Sequence, residues 1–278
     1  DSISRGSVSS NSLMDRVYGA SLGIEVDSDD GSVIGGVGLA LSQSSYTYNN
    51  NPTPSTPGSA TNYGMSFYLG ARNEHAYISA IAYYGGSNST FNRQLQTLGF
   101  NTSTNVNIHS SVIGGRIETG YNLLSNPTGD RKVQLTPFVA IQPTQIIQNG
   151  ANEYFAGYGA GFYYGANTNT SLPIFIGAEL SGDIDMGNNS SLKPYIRVSW
   201  VTDTVSSQAM SSSYSTTNGP SIYANGTPSF GNALVFKGGA KYTVSDKVSA
   251  YATFDIEQGN KTYNYRGIGG SIGMQYRW

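Results

Sequence analysis

The chain has 278 residues, of which only 12% are charged, with 35 glycines, 21 tyrosines and a net charge of −2. This charged fraction is about half of the ~25% typical of soluble proteins, so the composition is poor for a surface that faces water. The lack of a basic cluster argues against nucleic-acid binding, and the lack of cysteine excludes disulfides, thiolate nucleophiles and cysteine-based metal sites.

Alternation of apolar and polar residues with a period of two dominates the sequence and is typical of strands. In chain order, eleven such runs begin near Tyr18, Val33, Tyr63, Ala76, Ile113, Val133, Leu172, Leu192, Leu234, Val248 and Ile268. Only the run from Ala76 to Tyr84 is apolar on both faces, so its orientation stays open. No run approaches the ~18 consecutive apolar residues of a transmembrane helix, so a membrane span would have to be made of strands.

Charges fall on one face of these runs only. The members of this set are Glu25, Asp27, Arg116, Glu118, Glu179, Lys193, Arg197, Lys237, Lys241, Asp255 and Glu257. A Lys or Arg that faces lipid at the bilayer centre costs roughly 2 to 4 kcal/mol. The pattern therefore predicts a barrel with an apolar, lipid-facing exterior and a charged, hydrated lumen, in which these groups pair with one another.

A soluble β-sandwich would also alternate, so other features have to decide between the two folds. The runs are longer than the ~5–6 residues of average strands, and tyrosines and tryptophans lie near their ends. Short connections at 27–31, 73–74, 125–130, 183–190 and 245–247 alternate with long ones at 48–62, 85–109, 148–170 and 204–231. Only the last connection on the long side, at 259–262, is short. This asymmetry favours an all-β, transmembrane, antiparallel up-and-down barrel with short periplasmic turns and long extracellular loops.

The N-terminal segment has two interpretations. Bacterial barrels have an even strand number, so residues 1–10 are expected to add a short twelfth strand, with 11–17 as a connection. Alternatively, Ser12 caps the N-terminus of a short helix. Residues 1–278 are expected to form one domain, and because the chain starts at Asp1 without an apolar leader, we expect a portion of a longer precursor.

Several segments together point to one family. They are Gly23 to Val26 followed by a polar turn and a glycine-rich run, Glu118 to Tyr121, Leu135 to Pro137, Leu192 to Tyr195 with Trp200, and Tyr265 to Trp278. In their order and spacing, from about Tyr18 to Trp278, the chain resembles the C-terminal translocator domain of monomeric autotransporters of the type V secretion class. The last residues, Met274, Tyr276 and Trp278, resemble the signal read by the outer-membrane assembly machinery, although the family more often ends in Phe.

The resemblance implies a bacterial outer-membrane location and export of an N-terminal passenger whose linker helix occupies the lumen. It implies as partners the assembly machinery, membrane lipids and lipopolysaccharide, and the chain's own passenger and linker. We expect a monomer, with no nucleic acid, cofactor or metal. The alternatives are a free-standing porin or adhesin barrel and, more remotely, an outer-membrane enzyme.

Catalytic constellations are sparse. The two histidines, His75 in a predicted periplasmic turn and His109 in a predicted surface loop, fall on opposite sides of the membrane and cannot share one site. Relatives that cut their own linker use a luminal acid, for which Glu118 or Asp255 would be the candidates, but mutual charge pairing is the simpler interpretation. The chain is therefore not expected to be an enzyme.

Overall fold

The fold is all-β. The computed structural model describes residues 12–49, 56–97, 100–128, 131–153, 161–204, 209–214, 222–225, 232–259 and 266–277. These residues form strands β1 Ser12–Asp27, β2 Val33–Asn49, β3 Thr56–Arg72, β4 Ala76–Thr97, β5 Phe100–Tyr121, β6 Leu124–Thr128, β7 Arg131–Ile141, β8 Thr144–Gln148, β9 Ala151–Asn152, β10 Phe162–Tyr164, β11 Asn167–Ser171, β12 Pro173–Gly187, β13 Ser190–Asp203, β14 Ala209–Tyr214, β15 Ile222–Asn225, β16 Asn232–Thr243, β17 Val248–Gly259 and β18 Arg266–Tyr276. Within these ranges, no helix has the length and apolar character required to cross a membrane.

Eleven strands form one continuous antiparallel path, in the order β1, β2, β3, β4, β5, β7, β12, β13, β16, β17 and β18. β8 continues β7 after an interruption at Gln142 and Pro143, and β11 precedes β12 with an interruption at Leu172. The two interruptions lie side by side, because the Gln142 N–H donates to the Pro173 carbonyl at 2.9 Å. The eleven predicted runs and their up-and-down antiparallel order are therefore confirmed.

The first strand begins earlier than the sequence indicated. β1 starts at Ser12, and its residues up to Val17 pair with β2 in unbroken register, from Ser12 opposite Asn49 to Val17 opposite Ser44. Both interpretations of residues 12–17, as a connection or as a capped helix, are therefore wrong. The backbone of β2 pairs with this segment along its whole length, with hydrogen bonds at alternate residues, and this pairing outweighs its weak alternation. The expected twelfth strand, residues 1–10, lies outside the described residues.

Strands also extend far into the segments expected to be long loops. β4 and β5 contain 22 residues each, about 70 Å of chain at ~3.3 Å per residue, which exceeds the ~30 Å hydrocarbon core even with a 45° tilt. His109 consequently lies in β5, where its Nδ1 is 2.6 Å from the Asn88 side-chain oxygen, and not in a loop. The sequence pattern did not predict these parts of β4 and β5, because their Ser, Thr and Asn residues make both faces of the hairpin polar and leave no alternation.

Connections at the other end of the barrel are short, as predicted. The turn between β12 and β13 is shorter still than expected, because only Asn188 and Asn189 leave the strands, with φ angles of 53° and 58°. Positive φ at both central residues is typical of a two-residue hairpin turn. The expected turn at 125–130 is largely strand, since β6 pairs with β7.

Large apolar side chains are exposed on one face of the eleven-stranded path, which we call the outer face. Leu22, Ile176 and Ile272 are 72%, 62% and 88% exposed there. The unassigned run of β4 follows the same pattern, with Ile78 and Tyr84 on the outer face. Its opposite side, the inner face, carries tyrosines, which explains why alternation of apolarity failed to orient it.

Two of the long connections share one small sheet at the long-loop end of the barrel. Strands β9 and β10 come from the first connection, β14 and β15 from the second, and they pair in the order β15, β14, β10, β9. Ala151 of β9 and Glu153, which follows β9, are buried, as is Val106 of β5. The Tyr164 hydroxyl donates to Glu153 at 3.1 Å. The expected surface loops therefore contain a packed element, which we call the loop sheet.

Candidate functional site on the inner face

Charged side chains of neighbouring strands converge near the middle of the inner face. Arg116 and Arg197 bind the same oxygen of Glu118, at 2.6 and 2.5 Å. The Tyr77 hydroxyl donates to the other oxygen of Glu118 at 2.7 Å. Arg197 also lies 3.6 Å from Glu179. Residues from β4, β5, β12 and β13 thus form one network of two cations and two anions, which we call the ionic cluster.

Each arginine of the ionic cluster also stacks on an aromatic ring. The guanidinium of Arg197 lies 3.4 Å from the centroid of Phe138, and that of Arg116 lies 4.0 Å from the centroid of Phe175. A cation over an aromatic face gains electrostatic attraction, and a planar guanidinium is suited to bind a carboxylate at the same time. The arginines are therefore fixed from two directions.

Glycines on adjacent strands make room for the aromatic side chains of the inner face. A Cβ at Gly177 would lie 2.6 Å from the Phe138 ring, and one at Gly120 would lie 2.4 Å from the Tyr77 ring. These rings therefore lie over backbone that bears no side chain. The sequence analysis missed Tyr77, Phe138 and Phe175 as site residues. These three aromatic residues occupy inner-face positions of their strands, the positions at which the charged residues also occur. An aromatic residue at such a position could have identified them from the sequence.

A second polar network joins the first and last strands at the short-turn end. Gln275 of β18 donates to Glu25 of β1 at 2.9 Å, and Glu25 also accepts from Tyr68 at 2.6 Å. Lys241 donates to the Gln275 side-chain oxygen at 2.6 Å. Two residues further along both strands, Arg277 forms an ion pair with Asp27 at 2.9 Å. Residue numbers therefore increase together on β1 and β18 from one contact to the next, as expected for two strands that run in the same direction.

The remaining charged residues of the predicted set are only partly brought together. Lys193 pairs with Asp183 at 3.1 Å, where both side chains are about half exposed. Lys237 and Asp255 are direct cross-strand partners. The Asp255 carboxylate lies over Gly269, where an added Cβ would be 2.9 Å from one of its oxygens. Glu257 occupies the same face two residues along β17.

The periplasmic-type turn after β1 carries a bound carboxylate. Asp30 accepts hydrogen bonds from the Ser28 hydroxyl at 2.6 Å, the Ser32 hydroxyl at 2.7 Å and the Ser32 N–H at 3.0 Å. These donors, chiefly Ser28, lower the pKa of Asp30 to about 2. The negative charge is thereby held in the turn at any pH above its pKa.

The chemistry available to the inner face follows from these contacts. Both oxygens of Glu118 are occupied by charged or hydroxyl donors, which suits a structural ion pair better than a general base. Among the described residues, no three His, Asp or Glu side chains are arranged to hold a metal ion. The arrangement therefore resembles the wall of a hydrated conduit more than a reaction centre.

An antiparallel path of long strands, with an apolar outer face and ion-paired charges inside, defines a transmembrane β-barrel of the outer-membrane class. Residues 3–255 match the family model described as Autotransporter beta-domain. The chain belongs to this family and is an autotransporter translocator domain of the bacterial outer membrane. The predicted location and family are thus confirmed.

Solved structures show the same fold. The translocator domain of the autotransporter NalP from Neisseria meningitidis superposes with a TM-score of 0.70 at 16% identity, covering 96% of this chain and 81% of that chain. The beta domain of the Bordetella autotransporter BrkA superposes with a TM-score of 0.60 at 14% identity, covering 96% and 93%. No curated protein matches the sequence.

Proposed function

We propose that the inner face forms a conduit that supports export of an N-terminal passenger and is then occupied by the linker, and that the barrel performs this role without catalysis. The observation that carries the proposal is the pairing of inner-face charges with one another, behind an apolar outer face. Paired charges leave a polar, water-compatible wall with little net charge to trap a passing chain. The eleven charged residues predicted from the sequence are assigned to this wall.

The two sides of the proposed lumen differ in bulk. The ionic cluster and its aromatic rings project from β4, β5, β7, β12 and β13. On β18, β1 and β2 the same face carries small residues, among them Ser271, Ser21, Gly23 and Gly38. Close approach of a peptide backbone is easiest where side chains are small. We therefore assign the linker to the small-residue side, opposite the ionic cluster.

We propose that residues 1–10 complete the barrel as a twelfth strand. Ten successive antiparallel pairings leave β1 and β18 running in the same direction. A single strand antiparallel to both satisfies the edges of each, and unpaired edges are not tolerated in a bilayer. The Gln275–Glu25 and Arg277–Asp27 contacts involve long side chains on the inner face, which reach across such a strand.

The C-terminal residues are proposed to carry the assembly signal. Met274 and Tyr276 lie on the outer face and are 78% and 60% exposed, while Trp278 lies outside the described residues. Alternating exposed apolar residues on an edge strand suit recognition by another strand. Lipid and lipopolysaccharide are the partners proposed for the rest of the outer face and for the long-loop end.

Single-channel conductance tests the conduit. The refolded chain is measured in a planar bilayer alone and then with its native upstream linker restored in cis. A linker that occupies the lumen reduces the conductance sharply. A pore that stays open and solute-selective with the linker attached would replace the translocation proposal with a free-standing porin.

A further inference from the structure

Outer-face side chains are mostly large, but three alanines interrupt them on β16 and β17. Ala240 of β16 is the cross-strand partner of Ala252 of β17, and Ala250 lies two residues from Ala252 on the same face. Their small side chains form the floor of a depression of about 640 Å³. Pockets that hold small molecules have volumes of roughly 300 to 1,000 Å³.

Larger side chains form the walls of this depression, which we call the alanine groove. Tyr242 is the cross-strand partner of Ala250 on one side. Ile272 and Met274, the partners of Ala252 and Ala250, rise on the other. Apart from the Tyr242 hydroxyl, the walls are apolar, so the groove suits a hydrocarbon chain.

One end of the alanine groove reaches polar groups. Tyr276 is the partner of Val248 at the start of β17, and Tyr242 lies near the end of β16. Immediately beyond, the carbonyl of Lys247 accepts the Arg277 N–H at 2.8 Å. Arg277 is paired with Asp27 on the inner face. Lys247 stands opposite Arg277 and is exposed in the turn before β17, so its long side chain reaches the groove by bending around the end of the strand. Tyrosines and a lysine at this depth are typical of the membrane interface.

We propose that the alanine groove binds one glycerophospholipid of the periplasmic leaflet, with an acyl chain over the alanines and the phosphate at Lys247. The site is amphipathic in the same order as the lipid: apolar at depth, aromatic at the interface and cationic at the end. On the outer face of a membrane barrel, a defined depression retains a chain more strongly than the flat surface around it, because more of the chain contacts protein. The inference requires only that the outer face lies in the membrane, and passenger export has no part in it.

Native mass spectrometry of the refolded chain in mild detergent, with dipalmitoyl phosphatidylglycerol as the probe, tests the groove. The wild-type chain is expected to retain one lipid. Ala252→Leu fills the groove and should reduce the retained fraction roughly tenfold, because displacing even two methylenes from contact weakens binding by about that factor. Ala178→Leu adds the same side chain to the outer face of β12, far from the groove, and should retain lipid as wild type does. Folding of each variant is verified by its heat-modifiable mobility on gels.

A second comparison tests the proposed contact between the lipid phosphate and Lys247. Lys247→Gln should lower retention of phosphatidylglycerol severalfold and leave retention of dipalmitoylglycerol, which lacks the phosphate, unchanged. Equal lipid retention by the wild type and Ala252→Leu would overturn the site. Equal effects of Lys247→Gln on both probes would overturn the phosphate contact. A dimer that depends on Ala252 would instead assign the groove to a second copy of the chain.

Discussion

The guanidinium of Arg197 lies 3.4 Å from the ring centroid of Phe138, so a cation from β13 rests on an aromatic face from β7. The same guanidinium binds Glu118 of β5. Phe138 is itself nearly buried, with 4% of its surface exposed. The Arg197 side chain thus connects β13 with β5 and β7 on the inner face, although β13 pairs with neither of those strands.

Removal of Arg197 tests whether the ionic cluster holds these strands together. In Arg197→Ala, Glu118 keeps Arg116 and the Tyr77 hydroxyl as partners, but Glu179 loses its cation. Breaking a largely buried pair leaves an uncompensated charge, so the free energy of unfolding should fall by about 3 kcal/mol. Urea unfolding in lipid vesicles, followed by tryptophan fluorescence, measures the change. Lys193→Ala, which breaks the half-exposed pair with Asp183, should cost less than about 1 kcal/mol. Equal costs for the two variants would show that the cluster adds nothing beyond a surface ion pair.

Gly120 is expected to be intolerant of a side chain. An alanine Cβ there would lie 2.4 Å from the Tyr77 ring, whose hydroxyl is held by Glu118. Since the ring cannot move without losing that bond, Gly120→Ala should destabilise the barrel by about 1 to 3 kcal/mol in the same unfolding assay. Gly35→Ala provides the matched control, because its nearest contacts would be 3.4 Å away. If both variants unfold like wild type, the close approach of Tyr77 does not constrain the fold.

Asp30 should give the first turn a pH dependence in the acid range. Its folded pKa of about 2 lies below the ordinary value of 3.8. The stabilisation is therefore fully present above pH ~4 and is lost as the pH falls toward 2. Asp30→Asn should be less stable than wild type at neutral pH, and the difference should vanish near pH 2. A difference that persists unchanged from pH 6 to pH 2 would contradict the charge-based explanation. Asp29→Asn serves as the control in the same turn.

The absence of native cysteine allows a direct test of how the barrel closes. Ser21→Cys and Ser271→Cys place two thiols on the inner faces of β1 and β18, in the register set by the Glu25–Gln275 contact. With a twelfth strand between β1 and β18, their backbones are about 9 to 10 Å apart, beyond the ~7 Å limit for a disulfide. The pair should therefore stay reduced in the full chain and oxidise after removal of residues 1–11. Efficient oxidation in the full chain would mean that β1 and β18 are direct neighbours.

Tyr276 should distinguish an assembly signal from a simple lipid contact. Tyr276→Ser is expected to lower the amount of folded barrel in outer membranes of living cells strongly, while refolding of the purified chain into vesicles changes little. Tyr242→Ser removes a comparable outer-face tyrosine at the same end of the barrel and should leave assembly in cells intact. Equal losses in cells and in vesicles would assign Tyr276 to lipid contact alone.

The face that each strand turns to lipid could be predicted from the sequence wherever inner and outer residues differ in polarity. Leu192 to Trp200 and Val248 to Ile256 are clear examples, because lipid excludes charge from one face and water accepts it on the other. The prediction failed at β4, where Tyr77 and Tyr83 on the inner face are nearly as apolar as their outward neighbours. It failed again in the polar parts of β4 and β5, because strands that face water on both sides need not alternate.

By itself, the sequence determined the eleven strands of the antiparallel path, the direction of the apolar face for all of them but β4, and the family, since all three depend on local alternation and on the order of short segments. Only the tertiary structure decided which inner residues meet. Arg197 reaches Glu118 and Phe138 because the register between strands brings positions 79 and 59 residues apart to one level of the barrel. The alanine groove arises in the same way, from small residues on neighbouring strands that are brought together by cross-strand pairing, a relationship that no single run of the sequence contains.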